Sequence, residues 1–307
     1  MSPKLTGAEF RTLYERLRRQ VPWGPDDRRG ALNYITQEQV RTALGEARLG
    51  RTMSLAAPVE DWTAADNPDP ARHDMKPPLG ADAGPGLAFG MDRIAMNIHG
   101  NADSHIDALC HVIFERTLYN RLPADTITEN GAAELSIAVA ADGIVGRGVL
   151  VDVPRLRGVP WLQPGDDVTV DDLLSAERAQ GIPIGRGDIL FVRVGHRRRR
   201  TEQGPWNAAE ARAGLHPTVL PVLAERQIAA LGSDGNNDTA PSAVEGVDFP
   251  VHVLAVNALG LHLLDYLDFT ELSSACAEAG RWSFLCVIAP LRLPAATGSP
   301  VNPIAVL

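Results

Sequence analysis

Short apolar runs alternate with capped amphipathic segments through the middle of the chain, and this alternation is the strongest constraint on its fold. Gly148-Val149-Leu150-Val151-Asp152-Val153 is a compact strand-like run closed by Pro154. Thr169-Val170-Asp171-Asp172 carries the capping signature of a helix that Gly181 ends. Gly187 to Val194 reads as a buried strand, Pro217 starts a helix over Val219 to Arg226, and Ile228 to Leu231 reads as the next strand. Asp268 and Glu271 open a last helix that stops at Gly280, before strand-like Phe284 to Ile288 and a Pro-rich tail. Upstream, Phe10, Leu13, Tyr14 and Leu17 stand at helical spacing within residues 8–20, and Thr36 caps a second helix over residues 37–46. Residues 61–90 are rich in Asp, Pro, Gly and Ala and have no periodicity. They read as a long irregular excursion of the kind that covers active sites, with strand character resuming at Ile94 to Ile98. No internal repeat or strong linker divides the chain. The expectation is an N-terminal helical arm, residues 1–50, followed by a single mixed α/β domain, residues 51–307.

Composition narrows the partners. A chain of 307 residues buries a large core, and 45% apolar with 22% charged residues is ordinary for a globular protein. A net charge of −9 speaks against a nucleic-acid partner, whose phosphates need a basic face. The one basic run, Arg197-Arg198-Arg199-Arg200, is expected to be a solvated loop. No stretch of about eighteen uncharged apolar residues occurs, so no membrane span is expected. The first residues lack the apolar core of a signal peptide, which makes the cytoplasm the expected location. Cys110, Cys276 and Cys286 are too few, and odd in number, for a disulfide framework.

Chemistry concentrates between His99 and His111, a segment of thirteen residues that holds three of the eight histidines. Within it runs Ser104-His105-Ile106-Asp107-Ala108-Leu109-Cys110-His111. An extended backbone turns alternate side chains to one face, so His105 and Asp107 point together with Cα atoms roughly 6–7 Å apart. An imidazole nitrogen and a carboxylate oxygen at that spacing can close on one divalent cation. His111 lies near enough to act as a further ligand or a proton carrier. Cys110 beside it falls on the opposite face of a strand, which disfavours a thiol–imidazole pair and suits a buried structural cysteine. His73, His196 and His262 have no constellation around them and read as surface or core residues. Glu115, four residues past His111, reads equally as a site residue or a solvated one.

The Ser-His-Ile-Asp-Ala-Leu-Cys-His run resembles the Thr-His-x-Asp-x-Pro-x-His signature of the cyclase-like metal-dependent hydrolases, which include bacterial kynurenine formamidase and isatin hydrolase. The likeness continues in Gly187-Asp188 to Gly195, in Ala213-Gly214-Leu215-His216, in Gly232-Ser233-Asp234, and in Pro290-Leu291-Arg292-Leu293 with Gly298 to Pro303. The resemblance implies a swivelling β/β/α fold, an α/β architecture, assembled as a homodimer or homotetramer. It implies a Zn2+ or Mn2+ cofactor and a small-molecule carbonyl substrate opened at an amide, lactam or ester-like bond. It makes His105 and Asp107 metal ligands and His111 the proton-transfer residue. The best-known members carry another ligand four residues before the central histidine, where this chain has Asn101, a poor zinc ligand. His99 takes that place if the intervening loop bulges, as the His-Gly pair of larger members suggests. A further histidine of the family matches His252; its partner glutamate is not evident, and Asp265 lies near that place. His216 and Asp234 are secondary candidates for the pocket. The leading expectation is a metal-dependent hydrolase. The rivals are an enolate-forming cyclase, dehydratase or isomerase on the same site, and a degenerate scaffold that binds without turnover.

Overall fold

The computed structural model describes residues 3–76 and 86–307. Nine strands form its main sheet: β1 (Thr52–Ser54), β2 (His105–Asp107), β3 (Ile144–Asp152), β4 (Ile189–Arg193), β5 (Ala230–Ser233), β6 (His262–Asp265), β7 (Ser283–Ile288), β8 (Gly298–Pro300) and β9 (Ile304–Val306). Their order across the sheet is β1-β9-β7-β3-β4-β5-β6-β2-β8. The central four, β3, β4, β5 and β6, are parallel, and the pairs towards both edges are antiparallel. Every residue of β4, β5 and β6 is buried, as expected of parallel strands covered on both faces. Fully burying each Val, Leu, Ile or Phe there contributes about 1.5–3 kcal/mol before entropy is counted.

Helices cover the sheet where the local sequence starts and stops them. Helix α1 (Gly7–Gln20) opens with a reciprocal Thr6–Glu9 capping box and buries Phe10, Tyr14 and Leu17. Helix α2 (Gln37–Leu44) and helix α3 (Val170–Gln180) open with the same device at Thr36 and Thr169, and α3 ends at left-handed Gly181. The buried side chains of α1 and the β strands belong to one hydrophobic core. Among the described residues no helix is long and apolar enough to cross a membrane.

Three expectations need correction. The arginine run is not a solvated loop: it lies in helix α4 (His196–Gln203), with Arg197 buried. The excursion over residues 61–90 is partly ordered, because Arg72–Lys76 pairs with Met91–Ala95 in an antiparallel hairpin whose ten residues are all exposed. That pairing puts the strand at residues 91–95 rather than 94–98. Residues 77–85 of the same excursion lie outside the described residues. The Pro-rich tail contributes β8 and β9, and β8 seals one side of the candidate site.

The carboxyl ends of the parallel strands share one edge of the sheet, the place where open α/β sheets bind their ligands. Antiparallel β2 enters beside β6, so that His105 pairs with Asp265 at the end of β6. Asp234, just past β5, accepts the backbone N–H groups of Val194 (2.6 Å) and Gly195 (2.9 Å) and so fixes the turn that launches α4.

Two stability predictions follow from this packing. A Cβ on Gly148 of β3 would lie 2.2 Å from the Phe284 ring, which itself stacks on Phe191. Gly148→Ala should lower the free energy of unfolding by about 1–3 kcal/mol in denaturant titrations, as overpacking does; an unchanged midpoint would contradict the packing. Burial lifts the Asp234 carboxyl to about 6, against the pull of Arg193 and the two N–H donors. The unfolded chain therefore loses this proton first as pH rises, and the Asp234 contribution to stability falls between about pH 4 and 6, then levels. Across that window the stability of wild type relative to Asp234→Asn should decrease by about 1–3 kcal/mol. A flat or rising difference would contradict the account.

Candidate metal centre

Asp107 is the hub. It is 1% exposed and carries four imidazoles within reach of its carboxylate. Its Oδ1 lies 3.0 Å from His99 Nδ1 and 3.7 Å from His105 Nε2, and its Oδ2 lies 3.4 Å from His252 Nε2. His111 completes the ring by stacking on His99, with centroids 3.7 Å apart and planes within 6°. Burial pushes the Asp107 carboxyl up, but the imidazoles around it, His111, His252, His99 and His105, together outweigh that cost. The carboxylate is held ionised, well below its ordinary range.

Each imidazole is oriented by a second partner. His105 Nδ1 donates to the Asp103 carbonyl at 2.9 Å, which leaves Nε2 facing Asp107. His99 is spanned by Asp107 on one side and the Thr297 hydroxyl on the other, at 3.0 Å each. Gly298 of β8 packs so closely that a Cβ there would lie 2.7 Å from His99 Cε1. His252 Nδ1 meets Asp238 Oδ2 at 2.5 Å, and Asp238 also accepts the backbone N–H groups of Val251 and His252. The segment that follows, Val253–Leu259, is a π-helix, a rare form often found at functional sites. His252 Nε2 points between Asp107 and Asp265, 3.4 Å from each. Burial works against its charge, yet the carboxylates of Asp265, Asp107 and Asp238 together lift its pKa well above the ordinary imidazole value.

His111 differs in kind. Burial, with the nearby charges of His99, His252 and His105, pushes it down to about 4 against the pull of Asp107. It is therefore neutral at pH 7, and its ring keeps a lone pair able to accept a proton.

These residues fit a divalent ion on two observations. Asp107 Oδ2 is buried and makes no hydrogen bond of ordinary geometry, its nearest donor being His252 Nε2 at 3.4 Å. Ligand atoms also gather in two groups sharing Asp107: His99, Asp107 and His111, and His105, Asp107 and Asp265, each with its atoms within 4.8 Å of one another. Imidazole and carboxylate donors are the set that zinc takes, and that manganese tolerates. Asp265 is well ordered for this place, since Asn236 and Asn237 both donate to its carboxylate.

The candidates expected from sequence divide here. His99, His105, Asp107, His111 and His252 come together at one point. Asn101 does not join them as a ligand: its amide oxygen accepts the Tyr266 hydroxyl at 2.9 Å. His216 is engaged with the Thr218 hydroxyl and the Pro3 carbonyl, and Asp234 with the α4 turn. Neither lines the cluster. Glu115 is a half-exposed partner of Arg11, and the Cys110 thiol, raised to about 11 by burial, is inert. Asp238, Thr297 and Tyr266 were not singled out from sequence. The polar run Gly232 to Asp238 was the available signal for Asp238, but its pairing with His252 joins two separate loops.

A family model described as putative cyclase matches residues 33–237. A solved structure of a novel cyclase is 31% identical, covers 96% of this chain and 99% of its own, and superposes with a TM-score of 0.83. Isatin hydrolase A from Labrenzia aggregata, solved with benzyl benzoate, is 21% identical over 83% of this chain and 93% of its own, with a TM-score of 0.60. A predicted metal-dependent hydrolase from Bacillus stearothermophilus is 18% identical over 83% of this chain and 97% of its own, with a TM-score of 0.54. No curated protein matches the chain significantly. With two thirds of its length matched by the family model and one solved cyclase aligned almost end to end, the chain belongs to the cyclase family.

Proposed function

We propose that the chain is a metal-dependent hydrolase that opens a carbon–nitrogen or ester-like bond of a small carbonyl compound, with the Asp107-centred cluster as its metal centre. The observation that carries this reading is the buried carboxylate of Asp107 among four imidazoles, with Oδ2 making no hydrogen bond of ordinary geometry. The names of the fold neighbours, isatin hydrolase and predicted metal-dependent hydrolase, point the same way. With His111 kept free for the proton, His99, His105, Asp107 and Asp265 would hold zinc or manganese. A bound divalent ion supplies Lewis acidity to a carbonyl oxygen and lowers the pKa of water from about 16 toward 7.

The rest is the work of the chain. His111, neutral and with a lone pair on its ring, accepts the proton of the attacking water and returns it to the leaving nitrogen or oxygen. His99 stacks on it and fixes the plane of its ring. His252, held by Asp238, balances the charges of Asp107 and Asp265. A second reading, an enolate-forming cyclase or isomerase on the same residues, is favoured by the description of the family model. Product mass separates the two, because hydrolysis adds a water and isomerisation does not. The degenerate-scaffold reading loses its main support, since His99 stands where Asn101 could not serve.

The test is a screen of formamides, lactams and lactones with the zinc- and manganese-loaded protein. Replacing His105 and Asp107 together by Ala should remove both stoichiometric metal and all turnover; retention of both would sink the proposal. His111→Gln should keep metal through the remaining ligands while lowering kcat by about 10²–10⁴-fold. Full activity in that variant would exclude His111 as the proton carrier.

A further inference from the structure

The arginine run in α4 reaches toward the metal cluster, and no part of the proposed chemistry uses it. Arg197 is 6% exposed, and its Nη2 donates to two backbone carbonyls, those of Ala102 and, at 3.0 Å, Tyr266. Its nearest carboxylate is Glu60, 3.7 Å away, and Arg200 holds that group more tightly. Arg200 forms two bidentate pairs. Its Nη1 and Nη2 lie 2.6 and 2.8 Å from Glu60, and its Nε and Nη2 lie 2.5 and 3.0 Å from Asp66. Glu60 passes the connection on, since its backbone N–H donates to Asp103 Oδ1 at 3.1 Å. One step away, the Ala57 N–H donates to the Ser104 hydroxyl, which donates in turn to the Tyr266 carbonyl at 2.7 Å.

Apart from the ion pairs with Glu60 and Asp66, these contacts end on Ala102, Asp103, Ser104 or Tyr266. The first three are the residues just before His105; the last directly follows Asp265. Between His99 and His105 the chain is irregular and has no strand partner until β2 begins. Its carbonyls must find donors elsewhere. Burying a guanidinium costs several kcal/mol, and the charges of Glu60, Asp268 and Asp103 do not offset burial and the neighbouring Arg200. One planar amino group, Nη2, that reaches two carbonyls from different segments explains its place better than charge does.

We propose that Arg197 is a positioning residue for the metal centre. By bridging the carbonyls of Ala102 and Tyr266, it fixes the bend around Asn101, so that His99 and His105 meet Asp107 beside Asp265. Arg200, through Glu60 and Asp66, holds the segment that braces Asp103. The inference rests on the metal-centre reading above, and its test keeps the two apart.

Metal-free wild type, Arg197→Met, Arg197→Lys and Arg200→Met are titrated with Zn2+ and with Mn2+ against a competing chelator. Hydrogen exchange of residues 99–105 and 265–268 is followed without metal. Arg197→Met should weaken binding by about 10–100-fold, the usual effect of removing a ligand-orienting partner. Arg197→Lys should recover less than half of that loss on a logarithmic scale, because its ammonium keeps the charge but stands one bond nearer the backbone than Nη2. Both variants should speed exchange in the two segments while the unfolding midpoint changes little. Unchanged affinity in Arg197→Met, or full recovery by lysine, overturns the proposal. If wild type binds neither ion, the metal-centre reading fails, and unchanged exchange in the Arg197 variants then overturns the bridge by itself. Should Arg197→Met not fold, Arg197→Lys and Arg200→Met carry the same readouts, with weaker binding and faster exchange expected in both.

Discussion

A carboxylate sealed from water is the constraint around which this structure is arranged. Asp107 is 1% exposed, and an ionised carboxylate in such a place is costly unless charge and hydrogen bonds surround it. The chain meets the requirement from four directions: His105 from the same strand, His99 and His111 from the turns on either side, and His252 from a loop far along the sequence. One oxygen, Oδ2, still makes no hydrogen bond of ordinary geometry. The sheet serves this arrangement, because β2 runs antiparallel to β6 and brings His105 to the carboxyl end of the parallel strands, where Asp265 waits.

What the sequence discloses is local. Alternation along an extended segment suffices to put His105 and Asp107 on one face, and the capping residues Thr36 and Thr169 mark helix starts that the structure shares. Long-range pairings are silent. Asp238 meets His252 only because two loops fold together, and no spacing rule announces it. Arg197 and Arg198 are neighbours of identical type, yet one is buried against backbone carbonyls and the other faces solvent, since a helix turns successive residues to different sides. Strands β8 and β9 escape notice because three residues beside prolines carry too little periodicity to register. The hairpin at 72–76 and 91–95 is hidden for a different reason: its alternation has no buried face to record.

Asn101, where the resemblance leads one to expect a ligand, is instead built into the turn before β2. Asn101 accepts from Tyr266, and Tyr266 sits at φ +55°, a left-handed conformation that few residues of its size adopt. The strained turn after Asp265 and the irregular turn before His105 are joined by hydrogen bonds from Ser104, Tyr266 and Arg197. His99, two residues earlier than Asn101, is the side chain that reaches Asp107. Fold kinship alone says little about such details, since function resides in the particular groups a scaffold presents.

The central claim is that the cluster around Asp107 binds metal. Anomalous diffraction from crystals of the zinc- or manganese-loaded protein tests it directly. The account predicts a strong peak within coordination distance of Asp107, ligated also by His99, His105 or both. No peak there after loading, or a peak only at a site without Asp107, would contradict it.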